Sequence, residues 1–304
     1  AAMPEPEIAI IGSGPAGLVA ALYAARYRRR TLVVHDNMSR LDLISNTHNV
    51  PAFPGGISGP ALLARMAHHA QSAGAEITRG HVVTARRLAD GFEFTSTDGQ
   101  LWRSRVLILA TGVHCERLPL ARGDHDTAVR LGVLRYCPIC DGFEHRGRRI
   151  AIAGNSCDAV AEALFLRTYS DTISFIPCAG WQVPHDEQNQ LEAAGIELLA
   201  GPSPSFSFAE NAMHVTLGDS GSKSFDVVYA ALGTRLRSDL ATNIGLMLTA
   251  DGTIAADAPS GTDIAGLYCI GDMVAGLDQI CVAAAQGAMA ATHGHNWLRA
   301  KESR

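Results

Sequence analysis

Apolar residues along this chain fall into short unbroken runs, each followed by a small-residue turn and then by an alanine-rich stretch with apolar positions at helical spacing. The clearest case is E-I-A-I-I-G-S-G-P-A-G-L-V-A-A-L-Y-A-A-R at 7–26, which predicts a strand, a tight turn and a helix. A second run, T-L-V-V at 31–34, follows at the distance of a parallel βαβ unit. The same pattern returns in R-R-I-A-I-A-G-N-S-C-D-A-V-A-E-A-L-F-L-R at 148–167, so two dinucleotide-type units are present. Three further apolar runs end in glycine: L-I-L-A-T-G at 107–112, V-V-Y-A-A-L-G at 227–233 and L-Y-C-I-G-D at 267–272. These read as seams where the chain crosses between domains. The expected class is α/β with two Rossmann-like domains, the second (115–235) inserted into the first (1–114 plus 236–304).

Length agrees with that division, since 304 residues suffice for two cores of about 100–200 residues each. With 47% hydrophobic and 18% charged residues and 30 glycines, the composition describes a well-packed chain rich in tight turns. A net charge of −5 argues against a general nucleic-acid binder, which needs an excess of cations on one face. The basic run R-Y-R-R-R at 26–30 closes the first alanine-rich helix, where cations offset the helix dipole. No apolar stretch reaches the roughly 18 residues of a membrane span, and no leader pattern opens the chain; Ala1-Ala2-Met3 reads as residues added ahead of the natural start. The expected location is the cytoplasm, with no membrane partner.

Gly12-Ser13-Gly14-Pro15-Ala16-Gly17 fits the dinucleotide fingerprint. Gly12 permits the turn, Gly14 lets backbone approach a pyrophosphate, and Gly17 lets helix and strand pack closely. The phosphate would lie at the helix N-terminus, where free N–H groups and the dipole favour an anion. An acid for the ribose is expected about 20 residues further on. There the strand ends in His35-Asp36, which makes Asp36 the candidate; a loop cap is the alternative.

Seven cysteines, scattered except for Cys137 and Cys140, do not form a secreted disulfide framework. The pair sits in R-Y-C-P-I-C-D-G-F-E at 135–144 and has three readings: a redox disulfide, half of a zinc site, or core thiols. Zinc would need a second close pair of Cys or His, and no second C-x-x-C exists. A redox pair suits the spacing, because a helix start lowers the pKa of one thiol and makes a thiolate available. Asp141 is either the group that shuttles the exchange proton or a helix-capping acid. Near the end, Gly271-Asp272 closes a strand and a small-residue helix begins near Asp278. An acid there can bind a ribityl or ribose hydroxyl, and a helix N-terminus can favour negative charge on a reduced isoalloxazine ring; both features could equally be structural caps.

Taken in order, G-S-G-P-A-G, A-T-G at 110–112, C-x-x-C-D-G at 137–142, the second dinucleotide turn and the late G-D resemble the low-molecular-weight thioredoxin reductases over nearly the whole chain. The resemblance implies an FAD domain interrupted by a nicotinamide domain that carries the redox C-x-x-C, usually as a homodimer. It assigns Gly12, Gly14, Ala16 and Gly17 to the FAD pyrophosphate and Asp272 to the ribityl chain. Thr111, Gly112 and Gly271 fall in the matching strand-end motifs. By the same resemblance Gln279, with Ile280 beside it, would lie by the flavin pyrimidine edge, and Asn49 and Pro51 match an Asn-x-Pro segment that the family places near the flavin. His48 stands where the best-known members carry an acid, as a proton relay or a structural neighbour of the flavin. Family precedent makes Cys140 the sulfur facing the flavin, Cys137 the one exchanging with substrate, and Asp141 the acid/base.

Two departures bear on the electron source. In the second turn, G154-N-S156-C-D-A159, Ser156 replaces the middle glycine. After the I-S-F-I run at 173–176, NADPH-using members carry a His-Arg-Arg-type cluster for the 2′-phosphate, whereas this chain reads P-C-A-G-W-Q-V-P. Between Arg167 and Arg235 the one cation of the Lys/Arg type is Lys223. NADPH use is therefore left open. The preferred expectation is a reductase of a thioredoxin-like protein, fed by NADPH or by another donor such as ferredoxin. The alternative is an oxidase that forms a disulfide in a small-molecule dithiol and passes electrons to O₂.

Overall fold

The computed structural model describes residues 5–201, 203–218, 221–250, 252–254 and 261–303; Ala1-Ala2-Met3 lie outside them. The chain divides into two compact units, Ala1–Leu41 with Pro60–His114 and Leu236–Arg304, and Asp42–Gly59 with Cys115–Arg235.

In the first unit the strand Ile8–Ile11 lies at the centre of a five-stranded sheet, paired in parallel with Thr31–His35 on one side and Val106–Leu109 on the other. Its residues are apolar without alternation because both faces are covered. Ile8 and Ile10 face a helical layer that includes Ala20, Ala24, Ala290 and Leu298. Ala9 and Ile11 face Phe92, Phe94 and Leu240 on the other side. Each such isoleucine contributes roughly 1.5–3 kcal/mol by leaving water. The alanine bias has a steric cause: the first helix, Pro15–Arg26, and the last, Ile280–Glu302, touch backbone to backbone. A Cβ on Gly287 would lie 2.3 Å from the Ala16 carbonyl oxygen, so no larger residue fits there.

The second unit repeats the arrangement. Its parallel sheet runs in the order Glu197–Leu198, Ile173–Pro177, Ile150–Gly154, Val227–Ala231, Leu134–Arg135. Ile150, Ile152 and Tyr229 face Val160, Ala163 and Leu191 on one side. Ala151, Ala153 and Val228 face Met213, Val215 and Phe225 of a small antiparallel sheet on the other. The expected α/β class with two Rossmann-like sheets is thus present. Residues 42–59 group with this second unit, held by hydrogen bonds from Arg135 to the Asn46 carbonyl (3.2 Å) and from the Asn49 amide to the Ile139 carbonyl (3.4 Å).

Candidate active site

The first glycine turn is shaped by backbone crowding around an open centre. Gly12 has φ +112°, and a Cβ on it would lie 2.2 Å from the Ala110 carbonyl oxygen. A Cβ on Gly17 would lie 2.0 Å from the Gly12 carbonyl oxygen. Between them Gly14 is extended, caps the helix Pro15–Arg26 without any side-chain hydrogen bond, and has nothing within 4 Å of its would-be Cβ. Helix N–H groups there face space that a side chain would fill, which is the geometry an anionic pyrophosphate needs.

A pocket beside this turn is lined by Gly12, His35, Asp36, His81, Thr111 and Arg237. Asp36 is ion-paired to Arg237, accepts the Met38 N–H (3.1 Å) and lies 3.3 Å from His81 Nδ1. Burial works to raise the Asp36 carboxyl, but Arg237, joined by the Met38 N–H and His81, offsets it and leaves the group below the usual carboxylate range. Arg237 also ties in the A-T-G seam: its carbonyl accepts from Thr111 Oγ1 (2.6 Å) and its N–H donates to the Gly112 carbonyl (3.1 Å). On the Gly271 side, where a Cβ would meet that of Ala16 at 3.2 Å, Asp272 accepts from Arg40 Nη1 at 3.0 Å. The same nitrogen reaches Asp278 at 2.9 Å, and Asp278 is pushed up by burial and by the charge of Asp272. Gln279 caps the last helix from an extended backbone, its amide donating to the Asp278 carbonyl (2.9 Å), and Ile280 is the first helical residue.

In the second unit Cys137 and Cys140 are joined as a disulfide with their Cα atoms 5.4 Å apart. Cys137 is half-buried at the start of the short helix Pro138–Asp141, and Cys140 is buried. Asp141 makes no helix cap. It is buried, with Tyr229 Oη donating to Oδ1 at 2.6 Å and Arg135 Nη1 at 2.8 Å from Oδ2. Burial raises the Asp141 carboxyl against the opposing pull of Arg135 and Tyr229. Behind Tyr229 stands His145, edge-on at 6.1 Å, its ring pushed down to about 4 by burial and by Arg135 and Arg148. The His48 ring lies 3.6 Å from Glu144 and 3.1 Å from Asn46, and its backbone N–H donates to the Cys140 carbonyl at 3.5 Å.

The second glycine turn is built differently. Gly154 packs under Ala159, but Ser156 Oγ accepts the Ala159 N–H at 3.3 Å and so caps the helix Cys157–Leu166 itself. Lys223 is ion-paired to Glu197.

The structure therefore gathers Gly12, Gly14, Ala16, Gly17, Asp36, Thr111, Gly112, Gly271, Asp272, Gln279 and Ile280 in the first unit, and Cys137, Cys140, Asp141 and Asn49 in the second. Sequence reasoning missed Arg40, Arg237, Arg135 and Tyr229. Arg40 and Arg237 carry no local signal because their acids are 232 and 201 residues away, and Tyr229 sits inside an apolar strand; Arg135 is only six residues before Asp141, but nothing in the run shows that its side chain folds back onto that acid.

A doubly wound pair of units, one with an uncapped dinucleotide turn and the other carrying a C-x-x-C disulfide, defines a flavin-dependent disulfide oxidoreductase. The chain belongs to the pyridine nucleotide-disulphide oxidoreductase family, whose sequence model matches residues 6–287, and within it is thioredoxin reductase-like, a group that uses FAD. It is 28% identical to a thioredoxin reductase of Streptomyces clavuligerus, over 96% of this chain and 94% of that one. It is 27% identical to a 34.2 kDa protein in the rubredoxin operon of Clostridium pasteurianum, over 97% and 98%. The crystal structure of HlmI superposes with a TM-score of 0.88 at 25% identity, covering 98% of this chain and 94% of that one.

Proposed function

We propose that this enzyme moves electron pairs between FAD and the Cys137/Cys140 disulfide, and from there to the disulfide of a thioredoxin-like protein, without relying on NADPH bound in the manner usual for a dinucleotide turn. The observation that carries the reading is the contrast between an open Gly14 and a self-capped Ser156, which flank one redox disulfide in sequence. In this proposal 1–114 plus 236–304 form the FAD domain and 115–235 an NAD(P)H-binding-like domain.

The uncrowded Gly14 and the crowded Gly12 and Gly17 fit a pyrophosphate, with Ala16, Thr111, Gly112 and Gly271 closing the cradle. Asp36 would hold the adenosine ribose and Asp272 the ribityl hydroxyls, each oriented by its arginine. Gln279 and Ile280 would meet the ring. Bound FAD supplies the two-electron carrier. Cys137, the more accessible of the pair, attacks the substrate disulfide as a thiolate or, in the reverse direction, is attacked as part of the disulfide by a substrate thiolate; Cys140 closes the pair; Asp141 accepts and returns the thiol proton.

An opposite direction of flow, oxidation of a small-molecule dithiol with O₂ as acceptor, is favoured by one observation: no Lys or Arg follows the strand Ile173–Pro177 before Lys223 to bind a 2′-phosphate. A protein donor such as ferredoxin is equally compatible with it. Family precedent supports a homodimer. No helix among the described residues is long and apolar enough to cross a membrane, and a cytoplasmic location is proposed with it.

Anaerobic titration followed in the flavin absorbance band tests the reading. Reduced ferredoxin or a dithiol is expected to bleach the band where stoichiometric NADPH does not. Bleaching by stoichiometric NADPH overturns the claim about the second turn. Bleaching by dithiol with rapid reoxidation in air selects the oxidase.

A further inference from the structure

Two neighbouring strands of the second unit reach the same carboxyl group. Arg135 ends the two-residue strand Leu134–Arg135, Tyr229 lies in the middle of Val227–Ala231, and the parallel register sets the two side by side. Arg135 is itself fixed, with Nε donating to the Gly132 carbonyl at 2.9 Å and Nη1 to the Asn46 carbonyl. Tyr229 is fully buried, its phenol pushed above the ordinary range first by burial and then by the neighbouring Asp141. It therefore stays a hydrogen-bond donor.

We propose that Arg135 and Tyr229 are positioning residues that keep the Asp141 carboxyl ionised while it is buried, so that it can accept a proton from the adjacent cysteine thiols. The inference rests on the acid/base role given to Asp141 above. Its physical basis is that desolvation favours the neutral acid, and a neutral acid cannot accept a proton. A guanidinium on one oxygen and a phenol O–H on the other both favour the charged form. Their pull acts against burial and against Glu144, while His48 adds a smaller contribution on the same side as theirs; His145, facing Tyr229, stays neutral. What remains is a carboxyl above its ordinary range, closer to the pH at which thiols titrate, as efficient proton exchange requires. In the step itself one S–H bond breaks and one O–H bond forms, giving a thiolate and a carboxylic acid; no electron moves.

The test uses flavin-loaded protein and pH-stepped infrared difference spectra. The carboxyl band that disappears in Asp141→Asn reports its protonation. Tyr229→Phe, which keeps the buried ring, is expected to move the band's midpoint upward, lowering the ionised fraction about tenfold below it for each unit moved. Arg135→Leu should move it further, and Arg135→Lys less than Arg135→Leu. A midpoint unmoved or lowered in both Tyr229→Phe and Arg135→Leu overturns the proposal. The acid limb of dithiol turnover is read in parallel. A limb that follows the midpoint supports both assignments; a limb that stays put while the midpoint moves leaves the clamp standing and removes Asp141 as the acid/base.

Discussion

The two glycine turns of this protein start from similar sequences and end with differently capped helices. Both place a glycine where the strand meets the helix, and in both a Cβ at that first glycine would collide, with the Ala110 carbonyl at Gly12 and with Ala159 at Gly154. The difference arises at the next-but-one residue. Gly14 leaves the helix N-terminus open to an anion, whereas Ser156 spends the same position on satisfying its own helix. In the function proposed above, retaining the fold of a dinucleotide turn and retaining its anion site are separate properties, and the side chain at this position is what separates them.

The largest expected effect comes from closing the first turn. Gly12→Ala adds a Cβ 2.2 Å from a backbone oxygen and forces alanine into φ +112°, at a cost of about 3 kcal/mol or more. Purified protein should lose nearly all its flavin absorbance per chain, whereas Gly154→Ala should destabilise the second unit and leave flavin content near wild type. Equal flavin loss from both would break the comparison. Next in size is Gly14→Ser, which imitates Ser156. Gly14 already has φ −69° and open space, so the apoprotein should fold and gain a few tenths of a kcal/mol from the cap. FAD affinity, by fluorescence titration, should fall at least about tenfold as the hydroxyl fills the cradle.

The reciprocal change is smaller. Ser156→Ala should lower stability in chemical denaturation by about 1 kcal/mol while flavin affinity stays unchanged; a flavin effect would show that the two turns are not independent. A separate effect concerns pH dependence. His145 falls from 6.5 in the unfolded chain to about 4 when folded, so the unfolded chain takes up the proton first on acidification. Stability is therefore lost across the window between those values. His145→Phe should flatten urea midpoints measured above and within it; an unchanged slope would mean that this ring does not set the dependence.

What could be read from sequence follows the same division. Gly12, Gly14 and Gly17 were legible because the cause of each lies within a few residues or in the adjoining strand. Asp36 and Asp272 were legible as positions but not as charges, because their arginines are 201 and 232 residues away in the chain. Tyr229 was hidden for a different reason. V-V-Y-A-A reads as a buried strand, which it is, and nothing in that run shows that one phenol among the apolar side chains donates to an acid 88 residues earlier. The cap at Ser156 was half legible: the missing glycine stands out in sequence, but the bond to Ala159 that replaces it needs the turn to be built. Nor does sequence show that residues 42–59 join the second unit, since carbonyls of that segment and of Ile139 hold them there.

The strand that presents Arg135 is only two residues long and lies at the edge of its sheet, paired on one side to Val227–Ala231. Leu134 is fully buried, but with a strand partner on one side only this piece opens at a lower cost than the central strands. On warming, the acid beside the cysteines should lose its cation while the rest of the chain is still folded. Heat should therefore switch off thiol chemistry several degrees before it unfolds the protein, and activity should return on cooling.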